Sequence, residues 1–172
     1  MVLKRMITGH IRYFLVSLVV YCTFFAGGVI VSLKTKLTMH PTSMAFFPTL
    51  FHNLFVGIIL IAAGLITLGI ANTLYLAYNA AMLGVTIKGV DNSYGLHPII
   101  TGVLPHSTTE ILAMLLCCTL GYESLRFINI VRTNAKLGQS EKFHVQDSVW
   151  ILVTAIVLFI VSALIESTIS KA

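Results

Sequence analysis

The fold is decided by residues 52–89, which read HNLFVGIILIAAGLITLGIANTLYLAYNAAMLGVTIKG. No Asp, Glu, Lys or Arg occurs in this stretch before Lys88. As one straight helix it would be about 57 Å long, whereas the hydrocarbon core of a bilayer is roughly 30 Å thick. We therefore predict that the chain folds back in the Gly64–Gly69 region, with Asn72 shortly after it, giving two membrane spans. The alternative is one full span followed by a re-entrant segment that stops at Asn79.

The composition of the whole chain extends this interpretation. Hydrophobic residues make up 57% of the 172 residues and charged residues 10%, against about a quarter charged in soluble domains. The sequence therefore predicts an all-α fold, a polytopic bundle of about five transmembrane helices. The net charge of +5 does not indicate nucleic-acid binding, because the basic residues occur in short connecting segments rather than on a basic soluble surface.

The same criteria place three further spans outside residues 52–89. A Gly27-Gly28 pair in the first span predicts close approach of a neighbouring helix. We expect a proline-containing loop over 34–48, a short polar loop over 89–96, and the longest extramembrane segment over 123–146. Residues 97–104 are either the start of the fourth span or a small element at the membrane surface, and the helix then runs from about Ser107 to Phe127. The chain is thus predicted to be a single transmembrane domain, 1–172, with spans at about 13–33, 51–69, 71–88, 99–127 and 149–168.

The distribution of Lys and Arg favours a cytoplasmic N-terminus. With five spans in that orientation, seven basic residues fall on the cytoplasmic side and four on the other, as the positive-inside rule requires. The cytoplasmic set is Lys4, Arg5, Arg12, Arg126, Arg132, Lys136 and Lys142, and the opposite set is Lys34, Lys36, Lys88 and Lys171.

Two ionisable side chains stand at the start of the fourth apolar run. His106 and Glu110 are four residues apart, so they lie on one side of a helix. Ionisable groups at membrane depth are costly and are functional candidates by default. A purely structural alternative exists for Glu110, because Ser107 and Glu110 match the S-x-x-E capping box and Pro105 is a common helix-start residue.

Glu166 comes late in the last apolar run and has no capping explanation, although it could extend to the membrane surface. His106, Glu110 and Glu166 together supply one imidazole and two carboxylates. We therefore predict that they are catalytic residues for general acid–base chemistry. The same three are the candidate metal ligands, and zinc is the metal that this donor set favours if one is bound. No dense ligand motif such as H-E-x-x-H occurs.

Asn53 and Asn79 are polar amides within apolar runs. We predict that they orient the catalytic groups or a substrate carbonyl. Alternatively, the two asparagines only stabilise the packing of helices, through interhelical hydrogen bonds that contribute about 0.6 kcal/mol each on average. The three cysteines also fall inside apolar runs, and we predict that they pack rather than form disulfides; they are Cys22, Cys117 and Cys118.

Several of these blocks resemble the stage II sporulation protein M family of bacterial integral membrane proteins. The resemblance covers about residues 51–170 and is most specific in the P-H-x-x-x-E block of Pro105, His106 and Glu110. The family usually has Asn-Gly where this chain has Asn79-Ala80, and Pro-His-Gly where it has Pro105-His106-Ser107. The other similar blocks are Phe51-His52-Asn53 with the glycine-spaced run to Gly69, Leu76–Gly84, and Leu164-Ile165-Glu166.

The resemblance implies a role in a bacterial cell membrane, and three candidates follow. Small members resembling this chain in length occur with circular bacteriocin precursors, which implies leader removal, head-to-tail cyclisation or export of a hydrophobic precursor peptide. An ABC-type ATPase or other membrane subunits would then be partners, since the sequence has no phosphate-binding loop of its own. The protein could also form a homo-oligomer. The alternatives are a non-enzymatic scaffold of a peptidoglycan-remodelling sporulation complex and a bacteriocin immunity or transport component.

Overall fold

The computed structural model describes residues 2–33, 45–138, 140 and 142–169, with side chains described from 7 to 168. Within these ranges the fold is all-α, as predicted, and contains no strand. The six α-helices are α1 (Val2–Ser32), α2 (Phe46–Thr67), α3 (Ile70–Tyr94), α4 (Leu104–Gly121), α5 (Glu123–Leu137) and α6 (Val145–Ile169), with a π-helical turn, Ile99–Val103, before α4.

Five segments of the described chain are long and apolar enough to cross a membrane, which confirms a polytopic helical protein with about five spans. The segment between the fourth and fifth of them is α5, whose sequence is far less apolar. The five segments are Ile7–Ser32, Phe46–Thr67, Ile70–Tyr94, Ile99–Gly121 and Val145–Thr168.

The predicted fold-back lies at Leu68 and Gly69, inside the Gly64–Gly69 region. Both residues have positive φ, 57° and 95°, and Gly69 donates its N–H to the carbonyl of Gly64. Such a left-handed pair ends one helix and redirects the chain. A Cβ on Gly69 would lie 2.2 Å from the ring of Tyr122, so the turn also packs against the end of α4. Two complete spans therefore form, rather than one span and a re-entrant segment.

The polar segment 89–96 was predicted to be a loop, and that prediction is wrong for most of it. Helix α3 continues to Tyr94, and Lys88 and Asp91, three residues apart, form a 2.6 Å ion pair along it. The helix ends at Gly95, which has φ 75° and donates its N–H to the Asp91 carbonyl. Polarity here marks the end of a membrane helix instead of a break in secondary structure.

The start of α4 contradicts the capping-box explanation of Glu110. The chain is already helical at Ile99–Val103 and passes directly into α4. Ser107 is therefore inside the helix and buried, whereas an N-cap residue has non-helical backbone angles. Glu110 is an interior helix residue, and no cap accounts for it.

The fourth span ends earlier than predicted. Helix α4 stops at Gly121, so residues 123–127, which the sequence assigned to a span of 99–127, begin the separate helix α5. The end is fixed by close packing, because a Cβ on Gly121 would lie 2.3 Å from Nδ2 of Asn72. That same Nδ2 donates to the Cys118 carbonyl at 2.8 Å.

Helices α1 and α3 cross in close contact, as the glycine pair predicted. A Cβ on Gly28 would lie 2.1 Å from the carbonyl oxygen of Ala81, whereas none of the described atoms lies within 4 Å of one on Gly27. A Cβ on Gly84 would lie 2.3 Å from the carbonyl oxygen of Phe25. Small residues at such positions allow the backbones themselves to touch.

Some sequence predictions fall beyond the described residues. The loop expected over 34–48 lies mostly outside the described residues. Its predicted end was wrong, because α2 already begins at Phe46 and Pro48 occupies the first turn of that helix. Proline is tolerated at that place, where its missing N–H would have no partner. The side chains of the predicted topology markers Lys4, Arg5, Lys34, Lys36 and Lys171 are likewise outside the described part.

Candidate functional site

A small cavity of about 70 Å³ lies between α3 and α4 near the middle of the spans. Asn79 and Leu83 contribute from α3, and Glu110 with its neighbours contributes from α4. The four α4 residues are spaced by three and four positions, so they form one face of that helix. They are Ser107, Glu110, Ile111 and Met114.

Glu110 is the only ionisable side chain among the described residues that line this cavity. Its carboxyl group is partly buried, and none of the described donors hydrogen-bonds to it. It interacts electrostatically with Glu166 on α6 and with Tyr21 on α1. The cavity has room for about two waters, each of which needs roughly 30 Å³. A carboxyl group beside such waters can accept and release protons.

Asn79, predicted to orient groups at the site, lines the same cavity as Glu110. Its Nδ2 donates to the Tyr75 carbonyl one turn earlier, at 2.8 Å. This bond fixes the amide plane and leaves the Oδ1 acceptor for other partners. The predicted role of Asn79 in orienting a substrate stays a prediction, but its position is suitable for it.

Tyr21 is a residue that the sequence analysis missed. It is 5% exposed, and its hydroxyl has no hydrogen-bond partner among the described residues. Burying a hydroxyl without a partner costs about 1–3 kcal/mol, so its position near Glu110 needs a reason. A tyrosine within an apolar run gives little signal in the sequence, because its ring is compatible with packing.

His106 does not line the cavity around Glu110. Its carbonyl accepts a 3.0 Å hydrogen bond from the Ser162 hydroxyl, which ties α4 to α6. Its Nδ1 is buried without a partner in the described part of the chain. The i, i+4 spacing put His106 and Glu110 on one side of α4, but the stripe facing α3 is centred on Ser107, Glu110 and Met114.

Asn53 is 3% exposed on α2, and its Nδ2 also has no partner in the described ranges. It is not part of the Glu110 cavity wall. Its predicted role in orienting a substrate at that site stays a prediction, although a buried, unsatisfied amide at membrane depth is unusual.

The ligand geometry does not support the candidate zinc site. Over 7–33, 45–138, 140 and 142–168 no group of three or more His, Cys, Asp or Glu side chains could hold a metal ion. His106, Glu110 and Glu166 therefore do not come together as three zinc ligands, and the residues present do not fit a site of that composition.

The sequence matches the family described as stage II sporulation protein M over residues 11–171. That range contains all the site residues named above. The chain belongs to this family.

A relative from Methanocaldococcus jannaschii is similar to this family member. The two are 27% identical over 121 residues, covering 70% of this chain and 68% of the archaeal protein, which is named only as uncharacterized. No solved structure matches this stage II sporulation protein M family chain.

This family member has a second buried polar cluster, at the junction of α1 and α5. His10 Nε2 is 2.6 Å from Glu123 Oε1, and Arg126 Nη1 donates to Glu123 Oε2 at 2.8 Å. Burial raises the pKa of Glu123, but the hydrogen bonds with His10 and Arg126 and the arginine charge outweigh it, so the pKa lies below its ordinary value. Sequence analysis missed the cluster because His10 is 113 residues away from Glu123 and 116 away from Arg126 along the chain.

Proposed function

We propose that this protein matures a hydrophobic peptide in the membrane, by leader removal and head-to-tail cyclisation, with the Glu110 cavity as its reaction site. The observation that supports this is an ionisable carboxyl group on the wall of an intramembrane cavity, beside Asn79 and Ser107. Structural explanations of Glu110 are weak, because the residue neither caps α4 nor forms an ion pair with any described residue. Ionisable residues kept in such positions usually serve function.

The chemistry assigned to Glu110 is that of a general base and then a general acid. In leader removal it takes a proton from water as the oxygen attacks the peptide carbonyl. The C–N bond then breaks, and the proton passes to the departing amine. Cyclisation is the reverse condensation, in which the new α-amine forms a C–N bond with the terminal carboxyl group and one water leaves. A cavity that excludes bulk water suppresses the competing hydrolysis.

The other predicted residues have supporting roles in this proposal. The amide of Asn79 orients the substrate carbonyl, and Tyr21 exchanges a proton with Glu110 through an intervening water, since its hydroxyl makes no hydrogen bond to a described residue. Glu166 influences Glu110 through charge, since the two groups interact electrostatically. His106 contributes from the side of α4 that faces α6, and Asn53 contributes from α2. Each either binds the peptide as it enters the site or holds it in the correct orientation.

We also propose a bacterial cell membrane location with the N-terminus in the cytoplasm. This orientation rests on the excess of Lys and Arg in the segments that it places inside. The partners would be the precursor peptide and a separate ABC-type ATPase or other membrane subunit that exports the product.

The test compares Glu110→Gln with Asp91→Asn, the same carboxyl-to-amide change outside the cavity. Each variant is co-expressed with a leader-bearing precursor of a circular bacteriocin, and products are identified by mass, with membrane levels matched. We expect Glu110→Gln to lose about a hundredfold or more of the mature peptide, the usual contribution of general acid–base catalysis, and Asp91→Asn to retain it. Equal activity of the two variants would overturn the enzymatic proposal.

A non-enzymatic role, as scaffold or as immunity or transport component, is the second candidate. The observation favouring it is the size of the cavity, since about 70 Å³ is well below the roughly 300–1,000 Å³ of ligand pockets. In that case Glu110→Gln has no effect on peptide processing, and cell-wall hydrolases or an exporter co-purify with the wild-type protein.

A further inference from the structure

A larger polar cavity, about 240 Å³ in volume, lies between the start of α1 and one face of α5. Two arginines line it, Arg12 from α1 and Arg126 from α5. No carboxylate belongs to its described wall. The remaining polar groups come from the side chains of Tyr13, Asn129 and Thr133 among others. This cavity is separate from the one around Glu110.

Arg126 is held in a fixed position at the cavity wall. Its Nη1 donates to Glu123 at 2.8 Å, and its guanidinium lies 4.9 Å from the centre of the Phe143 ring. The other edge faces α1, where a Cβ on Gly9 would lie 3.3 Å from Nη2. One edge of this planar group is therefore anchored, while the other is presented towards the cavity. Such an arrangement lowers the entropic cost of binding a further acceptor.

Arg12 is the second cationic group of the cavity. It is exposed and makes no ion pair or hydrogen bond with any residue that the structure describes. Two guanidinium groups at one small cavity favour an anion with several acceptor oxygens, because arginine binds phosphate and carboxylate in a bidentate manner. The volume is below the range of drug-sized pockets, which suits a compact headgroup such as phosphate.

The depth of the cavity favours a lipid as the source of that phosphate. The apolar part of α1 begins at Ile7, so the cavity lies where this helix enters the membrane. Helix α5 is amphipathic, with Phe127 and Val131 exposed beside Arg132 and Lys136. A helix with this composition lies in the plane of the interface, at the level of the headgroups.

From these observations we infer that the Arg12–Arg126 cavity binds a phosphate group, supplied by the headgroup of an anionic phospholipid. A soluble phosphate ester shares the same chemistry and is the other source to be tested. The inference is independent of the peptide-maturation proposal, because the cavity shares no described residue with the Glu110 site.

The experiment uses the full chain purified in detergent, with bound phosphatidylglycerol counted by native mass spectrometry and glycerol 3-phosphate added in a parallel series. Arg12→Gln removes an exposed cavity arginine without disturbing the buried cluster. Arg132→Gln is the matched control, an exposed arginine of α5 that does not line the cavity. Gly9→Ala is a third variant, in which a methyl group presses on Arg126 Nη2.

We expect wild type and Arg132→Gln to retain phosphatidylglycerol equally, Arg12→Gln to bind it at least about tenfold more weakly, and Gly9→Ala to bind it more weakly than wild type. Arg12-dependent binding of glycerol 3-phosphate with equal affinity would support the phosphate site and assign a soluble source. Equal losses in Arg12→Gln and Arg132→Gln would show a diffuse basic surface and overturn the inference. Absence of Arg12-dependent binding of both compounds would also overturn it.

Discussion

At the scale of single residues, Glu123 shows how a buried carboxylate is stabilised in this protein. It is 8% exposed, as is Arg126, and their contact with His10 joins the first helix to α5. Removing one partner of a buried ion pair leaves the other charge uncompensated, at a cost of roughly 3 kcal/mol. The free energy of unfolding should therefore depend on pH through the protonation of Glu123.

We predict that Glu123→Gln lowers stability at neutral pH and that this difference disappears in acid. The pKa of Glu123 is lower in the folded protein than its ordinary value of 4.5. Its stabilising contribution is thus fully present above that value and is lost as the pH falls through the folded pKa. Thermal unfolding in detergent, followed from about pH 7 to about pH 3, measures the difference. Asp91→Asn, at a more exposed pair, is the control and should have a small effect.

Single residues also show what sequence reasoning could find and what it could not. Glu110 was predictable, because a carboxyl group in an apolar run is costly wherever the helix packs. Its surroundings were not, since the α4 face that meets α3 depends on how the helices pack. The i, i+4 rule selected His106, whereas the cavity contains Ser107 from the adjacent face and lies near Tyr21 on another helix.

At the scale of the helices, sequence patterns predicted how many spans there are better than where each ends. The fold-back at Leu68 and Gly69 was predictable, because no single helix of that length fits a bilayer. The ends of α3 and α4 were not predictable, because α3 runs past Asp91 to the positive-φ residue Gly95 and α4 stops where Gly121 packs against Asn72. Polar composition alone does not distinguish a loop from the last turn of a helix.

The adjacent glycines of α1 give a prediction at this scale. Gly28→Ala should destabilise the α1–α3 contact, because its Cβ would lie 2.1 Å from the Ala81 carbonyl oxygen and the helices would have to separate. Gly27→Ala is the matched control, as its Cβ meets no described atom within 4 Å. It should be neutral or stabilising by about 0.5–1 kcal/mol, as alanine is favoured over glycine within helices. Thermal unfolding of both variants in detergent measures their stabilities. Equal stability of the two would contradict the close contact between α1 and α3.

At the scale of the whole molecule, contacts between distant segments define one end of the bundle. The His10–Glu123 contact brings the start of α1 to the start of α5. The turn at Gly69 packs against Tyr122 at the same junction, and the Ser124 hydroxyl donates to the Leu65 carbonyl there. The start of α1, the α2–α3 turn and the α4–α5 junction therefore share one end, as alternating spans require.

The membrane topology that follows can be measured by cysteine labelling in intact cells. Cys22 is exposed and is replaced by alanine, whereas Cys117 and Cys118 are buried and can remain. We predict that Ala135→Cys, exposed on α5, is protected from a membrane-impermeant maleimide until the membrane is permeabilised. Leu96→Cys, exposed between α3 and α4, should be labelled from outside, since one span separates the two positions. The reverse pattern would place the N-terminus outside and contradict the orientation inferred from Lys and Arg. Labelling of both positions from one side would contradict a complete crossing by the segment Ile99–Gly121.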